Sequence, residues 1–116
     1  MVSRILSIPL SGMTASGKKL AVSANNVANA MTDGFEKSRT VNYTLKDGGV
    51  AATVEQVDQP GPTVIDPATG EERQLSNVDL AEEMITQIEA KQTFEANIKV
   101  LKAEDEALGL VIDTLV

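Results

Sequence analysis

The sequence predicts an α+β chain in which an N-terminal helix and a long C-terminal helix form a coiled-coil-like pair, with a small β-hairpin insert between them. Three observations carry this prediction. Near both ends of the chain, apolar residues recur in alternating steps of four and three, which is a seam of helical period. Between the seams the pattern changes to strict alternation, the period of a strand. Turn signals rich in Gly, Pro and Asp separate the regions.

The first helix is expected from about Pro9 to Met31. Its seam reads Leu6, Leu10, Met13, Gly17, Leu20, Ala24, Val27 and Met31, while the other faces carry Ser, Thr, Lys and Asn. Pro9 suits a first helical turn, where its missing N–H would have had no partner. Thr32-Asp33-Gly34 is a stop signal, with Gly34 supplying a backbone conformation closed to other residues and Phe35 then anchoring the chain. The expected length is roughly 33 Å.

In the middle segment, Val41, Tyr43 and Leu45 alternate with polar residues, and so do Val50, Ala52 and Val54. Lys46-Asp47-Gly48-Gly49 between them predicts a hairpin turn. Gln59-Pro60-Gly61-Pro62 breaks the chain, and Asp66-Pro67-Ala68-Thr69-Gly70 predicts a turn between short edge strands near Val64-Ile65 and Arg73-Leu75. An isolated hairpin is marginal in water, so this segment needs support from the helices or from other subunits.

The second helix is expected from about Asp79 to Leu115, about 55 Å at 1.5 Å per residue. Asp79 is a candidate cap, with Glu82 at capping-box spacing. Ala81, Met84, Ile85 and Ile88 give a broad apolar face, followed by the seam Phe94, Ile98, Leu101, Asp105, Leu108, Ile112 and Leu115. Gly109 is a weak point for the helix. The segments are therefore residues 1–34, 35–76 and 77–116, forming one structural unit. Both seams can close on each other in a helical hairpin. Their unequal lengths favour leaving part of each for neighbouring copies, because the shorter helix cannot cover the longer.

Composition narrows the function. The chain has 116 residues, the size of one modest domain, and 42% are hydrophobic, so composition does not predict disorder. Two Phe, one Tyr and no Trp leave a thin core, or one completed by a neighbour. The net charge of −7 argues against nucleic acid as a partner. No apolar run is long enough for a membrane span, and no basic block suits a membrane surface. With no Cys and no His, the chain lacks thiolate chemistry, the commonest general base and the commonest metal ligand. The loop carboxylates Asp47, Asp58, Asp66, Glu71 and Glu72 show no acid–base or calcium-loop spacing. Neither an enzyme, a metal site nor a cofactor is expected.

Asn25 and Asn29 share a helix face, being four residues apart. Between packed helices, Asn25 and Asn29 could fix register; equally, three Asn near a helix end can simply help to terminate it. Phe94, the aromatic of the long helix, reads either as a core residue or as an intersubunit contact. Lys18, Lys19, Lys91 and Lys102 read as a solvated face.

The stretch Ser23-Ala24-Asn25-Asn26-Val27-Ala28-Asn29-Ala30-Met31-Thr32-Asp33-Gly34-Phe35, with Ser11-Gly12-Met13-Thr14-Ala15 and Leu20 before it, closely resembles the N-terminal signature of bacterial flagellar rod and hook proteins. Ser76-Asn77-Val78-Asp79-Leu80-Ala81-Glu82-Glu83-Met84 resembles the start of that family's C-terminal helix, and Phe94-Glu95-Ala96-Asn97-Ile98-Lys99-Val100 its central motif. The short insert is most like that of the proximal-rod subunits, although the Asn-Val-Asp-Leu-Ala-Glu-Glu run is also similar to distal-rod and hook members.

The resemblance implies a structural subunit that polymerises through its terminal helices with copies of itself and other rod proteins. It also implies export through the flagellar export apparatus without signal cleavage, a basal-body location spanning the periplasm, and no membrane insertion. It favours an assembly role for the helix residues named above, and the expected packing set is Leu10, Met13, Leu20, Asn25, Asn26, Val27, Asn29, Gly34, Phe35, Asn77, Asp79, Ile88, Phe94, Asn97, Ile98, Leu101, Leu108 and Ile112. The alternative is a coiled-coil adaptor or export-related binding protein that carries the same ends without polymerising.

Overall fold

A computed structural model describes residues 2–115, without the side chains of residues 2–4 and 115. Leu115 of the expected seam, and both chain ends of the expected segments, thus lie outside the described side chains. The order is α1 (Val2–Ala28), β1 (Ser38–Thr44), β2 (Val50–Gln56), β3 (Thr63–Ile65), β4 (Glu72–Gln74) and α2 (Leu80–Leu115).

Helix α1 starts before Pro9, which lies inside it rather than in its first turn. The amphipathic pattern continues upstream, and tertiary contact overrides the proline's local cost. The helix ends at Ala28, where Asn29 Nδ2 donates to the Asn25 carbonyl at 3.0 Å and Thr32 Oγ1 donates to Asn29 Oδ1 at 3.1 Å. Gly34 has φ +73°, in the left-handed region, and its N–H donates to the Gln74 carbonyl at 2.8 Å.

Helix α2 starts as expected and passes through Gly109 unbroken. Asp79 Oδ1 accepts from the backbone N–H groups of Ala81 at 3.0 Å and Glu82 at 3.4 Å. The reciprocal half of the capping box is replaced by an ion pair, because the Glu82 carboxylate turns to Lys37 Nζ at 3.2 Å.

Strands β1 and β2 pair antiparallel around a turn in which the Leu45 N–H donates to the Gly49 carbonyl. Tyr43 lies opposite Ala51 and Val41 opposite Thr53, whereas Val54 lies opposite Thr40. The apolar positions of the two strands therefore fall on opposite faces of the ribbon. The hairpin is fastened along α1. The Val50 N–H donates to Ser11 Oγ at 3.1 Å, and Lys18 Nζ donates to the Ala52 carbonyl at 3.0 Å. Strands β3 and β4 form a second, smaller antiparallel hairpin.

The two helices run antiparallel through a line of small and polar residues. On α1 this line is Gly12, Ser16, Lys19, Ser23 and Asn26; it faces Glu83, Ala90 and Asn97 of α2. Among the described residues, the buried hydrophobic side chains are those of Ala15, Ala52 and Ala90, and Pro9 is buried as well. The larger apolar side chains stay outside, among them Leu10, Leu20, Val27, Ile88 and Ile98. The radius of gyration, 20.5 Å, compares with about 13 Å for a compact chain of this length. The accessible surface, 8173 Å², compares with roughly 6,100 Å² for a compact protein of this mass.

A Cβ built on Gly12 would sit 2.6 Å from Asn97 Nδ2 and 2.8 Å from its Cγ, so the helices approach closely only because position 12 has no side chain. Gly12→Ala is expected to cost about 1–3 kcal/mol through overpacking. Adding Asn97→Ala, which removes the obstructing amide, should recover most of that loss. A double-mutant cycle by urea denaturation measures the coupling, and additive losses would contradict this contact.

Candidate assembly surface

The ends of the two helices and the bases of both hairpins meet at one polar junction. Asn26, 1% exposed, sits at its centre. Its Oδ1 accepts from the Ser38 N–H at 3.0 Å, and its Nδ2 donates to the Ser38 carbonyl at 2.7 Å and to Glu83 Oε1 at 3.0 Å. One carboxamide thus completes the edge of β1 and reaches α2. One turn earlier, Ser23 Oγ donates to the Glu83 carbonyl at 3.2 Å and accepts from Gln87 Nε2 at 3.2 Å.

Asn77 performs the matching task from the other side. Its Oδ1 accepts from the Lys37 N–H at 2.6 Å, its Nδ2 donates to the Gln59 carbonyl at 2.7 Å, and its backbone N–H donates to the Phe35 carbonyl. Ser76 is buried beside it. Arg73 forms a fork with Asp33, at 2.9 Å and 3.1 Å, tying the smaller hairpin to the turn after α1. Hydrogen bonding from this guanidinium, aided by its charge, holds the Asp33 carboxyl below its ordinary value. Both partners are about half exposed, so the pair orients the turn more than it stabilises the fold.

Outside this junction the helix pair has two unlike faces. On a wheel of about 100° per residue, Ser11 and Lys18, which hold the hairpin, lie on the opposite side of α1 from Leu6, Leu20 and Val27, and Leu10 lies at the edge of that apolar side. The hairpin-free side is an open apolar strip. Leu20 meets Met84 and Ile88 of α2 across one groove, and Leu6 meets Ile98 and Leu101 across a second. The helical seams read from the sequence therefore lie beside the contact between the helices and largely face outward.

The expected packing set divides accordingly. Leu10, Leu20, Val27, Ile88, Phe94, Ile98 and Ile112 are exposed, and Met13, Leu101 and Leu108 are half-buried. Asn26, Asn77, Gly34 and half-buried Phe35 belong to the junction, Asp79 caps α2, and Asn97 meets Gly12. Asn25 and Asn29, expected to fix register between helices, bond to each other at the end of α1 instead, and Asn26 is the one of the three whose side chain bonds to α2.

Sequence reading missed Gly12, Ser23, Ser38 and Glu83 as positioning residues. Gly12, Ser16, Lys19, Ser23 and Asn26 repeat the four–three step one face away from the apolar seam, which is the signal that identifies the contact line. Lys18 and Lys19 are engaged, with the Ala52 carbonyl and with Glu89, and are not simply solvated. Among the described residues, no cluster of His, Cys, Asp or Glu could hold a metal ion, and no helix is long and apolar enough to cross a membrane.

Asn26→Ala strands the Ser38 backbone groups and the buried Glu83 carboxylate. A loss of about 1–3 kcal/mol is expected, with hydrogen exchange at Ser38 and Arg39 accelerating before that of mid-helix amides. Unchanged protection at these two residues would contradict a junction held by Asn26.

Family models match the two helical ends. The family described as flagella basal body rod protein matches residues 6–35, and the flagellar basal body rod FlgEFG protein C-terminal family matches residues 74–114. No curated relative matches the chain. The two matched segments span more than half of the chain and contain both sides of the Asn26–Asn77 junction, and the chain belongs to the flagellar basal-body rod family.

Proposed function

We propose that this protein is a building block of the flagellar drive shaft, polymerising through its terminal helices with copies of itself and with other rod proteins. The observation that carries this reading is the hairpin-free face of the helix pair, where apolar side chains that a monomer would bury stand in solvent. A contact line made of alanine, glycine, serine and asparagine holds the pair together and leaves the larger side chains for neighbours.

The insert between the helices is confined to two short hairpins, which suits the proximal part of the rod. Periplasm-spanning placement and delivery by the flagellar export apparatus are part of the same reading. The role is mechanical, so catalysis has no part in it. Torque passes between copies through helix faces, and the clasped hairpins keep each helix pair from splaying.

Ile98 is exposed on the second groove. Ile98→Asp should leave the helical circular dichroism of the purified protein unchanged and abolish rod assembly and motility, because a carboxylate would be buried without a partner at the contact. Motile cells with complete rods would overturn the polymerisation reading and favour a non-polymerising adaptor.

A further inference from the structure

Among the described residues, nothing covers the last turns of α2. The close pairs Gly12–Asn97, Ser23–Gln87 and Asn26–Glu83 set an antiparallel register that places the start of α1 opposite about residue 107 of α2. Beyond that point, Leu110, Val111 and Ile112 are 68%, 56% and 60% exposed. Successive residues turn by about 100°, so the three point to three sides of the helix. A helix end that is apolar all round belongs inside a packed structure. Asp113 is the charged residue of this tail; it is exposed and, among the described residues, has no ion pair.

Toward the opposite end of the helix pair, on the hairpin-free face, Leu20, Met84, Gln87, Ile88 and Lys91 line an open groove of about 350 Å³. No carboxylate lines it, and Lys91 has no ion pair among the described residues. The second groove on this face already holds Asp105 close to Lys102. The first groove is therefore the one whose charge complements the tail.

We infer that the α2 tail of one copy seats in the Leu20–Met84–Ile88 groove of a second copy, with Asp113 meeting Lys91. This inference rests on the polymerisation proposed above and specifies one of its contacts. Tail and groove are different surfaces of the same chain, so the contact is head-to-tail and repeats into an open assembly. Leu110, Val111 and Ile112 supply the apolar area, while the Lys91–Asp113 pair at the rim fixes direction and register. Lys91 and Asp113 stand 22 positions apart on one continuous helix, about 33 Å, and cannot meet within a single chain.

Charge reversal tests this contact in intact cells. Lys91→Asp and Asp113→Lys should each lower the amount of this protein recovered in purified basal bodies several-fold, with the monomer's circular dichroism unchanged. The chain carrying both changes should recover near the wild-type amount. A double variant no better than the worse single variant, or single variants without effect, would overturn the contact. The chain has no cysteine, so Ile88→Cys with Leu110→Cys gives a second readout: oxidation of assembled rods should yield a ladder of disulfide-linked copies. Rods that contain this variant and give no ladder would also overturn the contact while leaving the rod role intact. Wild-type basal bodies lacking the protein would instead remove the polymerisation reading beneath it.

Discussion

Two helices can lie side by side with their axes close only where the side chains between them are small. Here Gly12 of α1 meets Asn97 of α2 and Ser23 meets Glu83 and Gln87, with Ser16 and Ala90 both buried, and this narrow contact decides where everything else goes. It leaves no room between the helices for Leu10, Leu20, Ile88 or Ile98, so these side chains line the flanks and grooves instead. A monomer built this way buries little apolar area, and alanines make up its buried hydrophobic set. Its order depends correspondingly more on polar contacts, and its larger apolar side chains are left at the surface.

The polar junction supplies that order. Asn26 and Asn77 are far apart in sequence, yet each satisfies strand or loop backbone beside the end of a helix. Buried backbone groups left without partners are costly, so a junction of this kind fixes one geometry among many. It sets the angle at which the hairpins leave the helix pair and keeps them on one face. The other face is thereby kept free. Under the proposed polymerisation, the hairpin-free face is the one the insert does not occlude.

Much of the fold was legible in the sequence because it rests on periodicity and turn chemistry. The four–three steps located both helices, the alternation at Val41–Leu45 and Val50–Val54 located the hairpin, and Asp79 and Gly34 marked helix boundaries. Pro9 misled because a local rule was applied where an amphipathic pattern continued upstream. The apolar seams were legible, but which line the helices share was not. An apolar seam ordinarily signals the closest contact, whereas here glycine, serine and asparagine form it and the seam faces outward. Glu83 lies in the first turn of α2, where a carboxylate also suits the helix dipole, yet here it is a buried acceptor for Asn26. No local signal distinguishes those two uses of a glutamate.

Electron cryomicroscopy of purified basal bodies, at a resolution that traces this chain in the rod, would show which face of the helix pair meets its neighbours. The Gly12–Asn97 contact is expected to be retained within each subunit, with the face carrying Leu20, Met84, Ile88 and Ile98 buried against neighbouring subunits. A rod in which that face lines water, with subunits joined through the hairpin side instead, would contradict it.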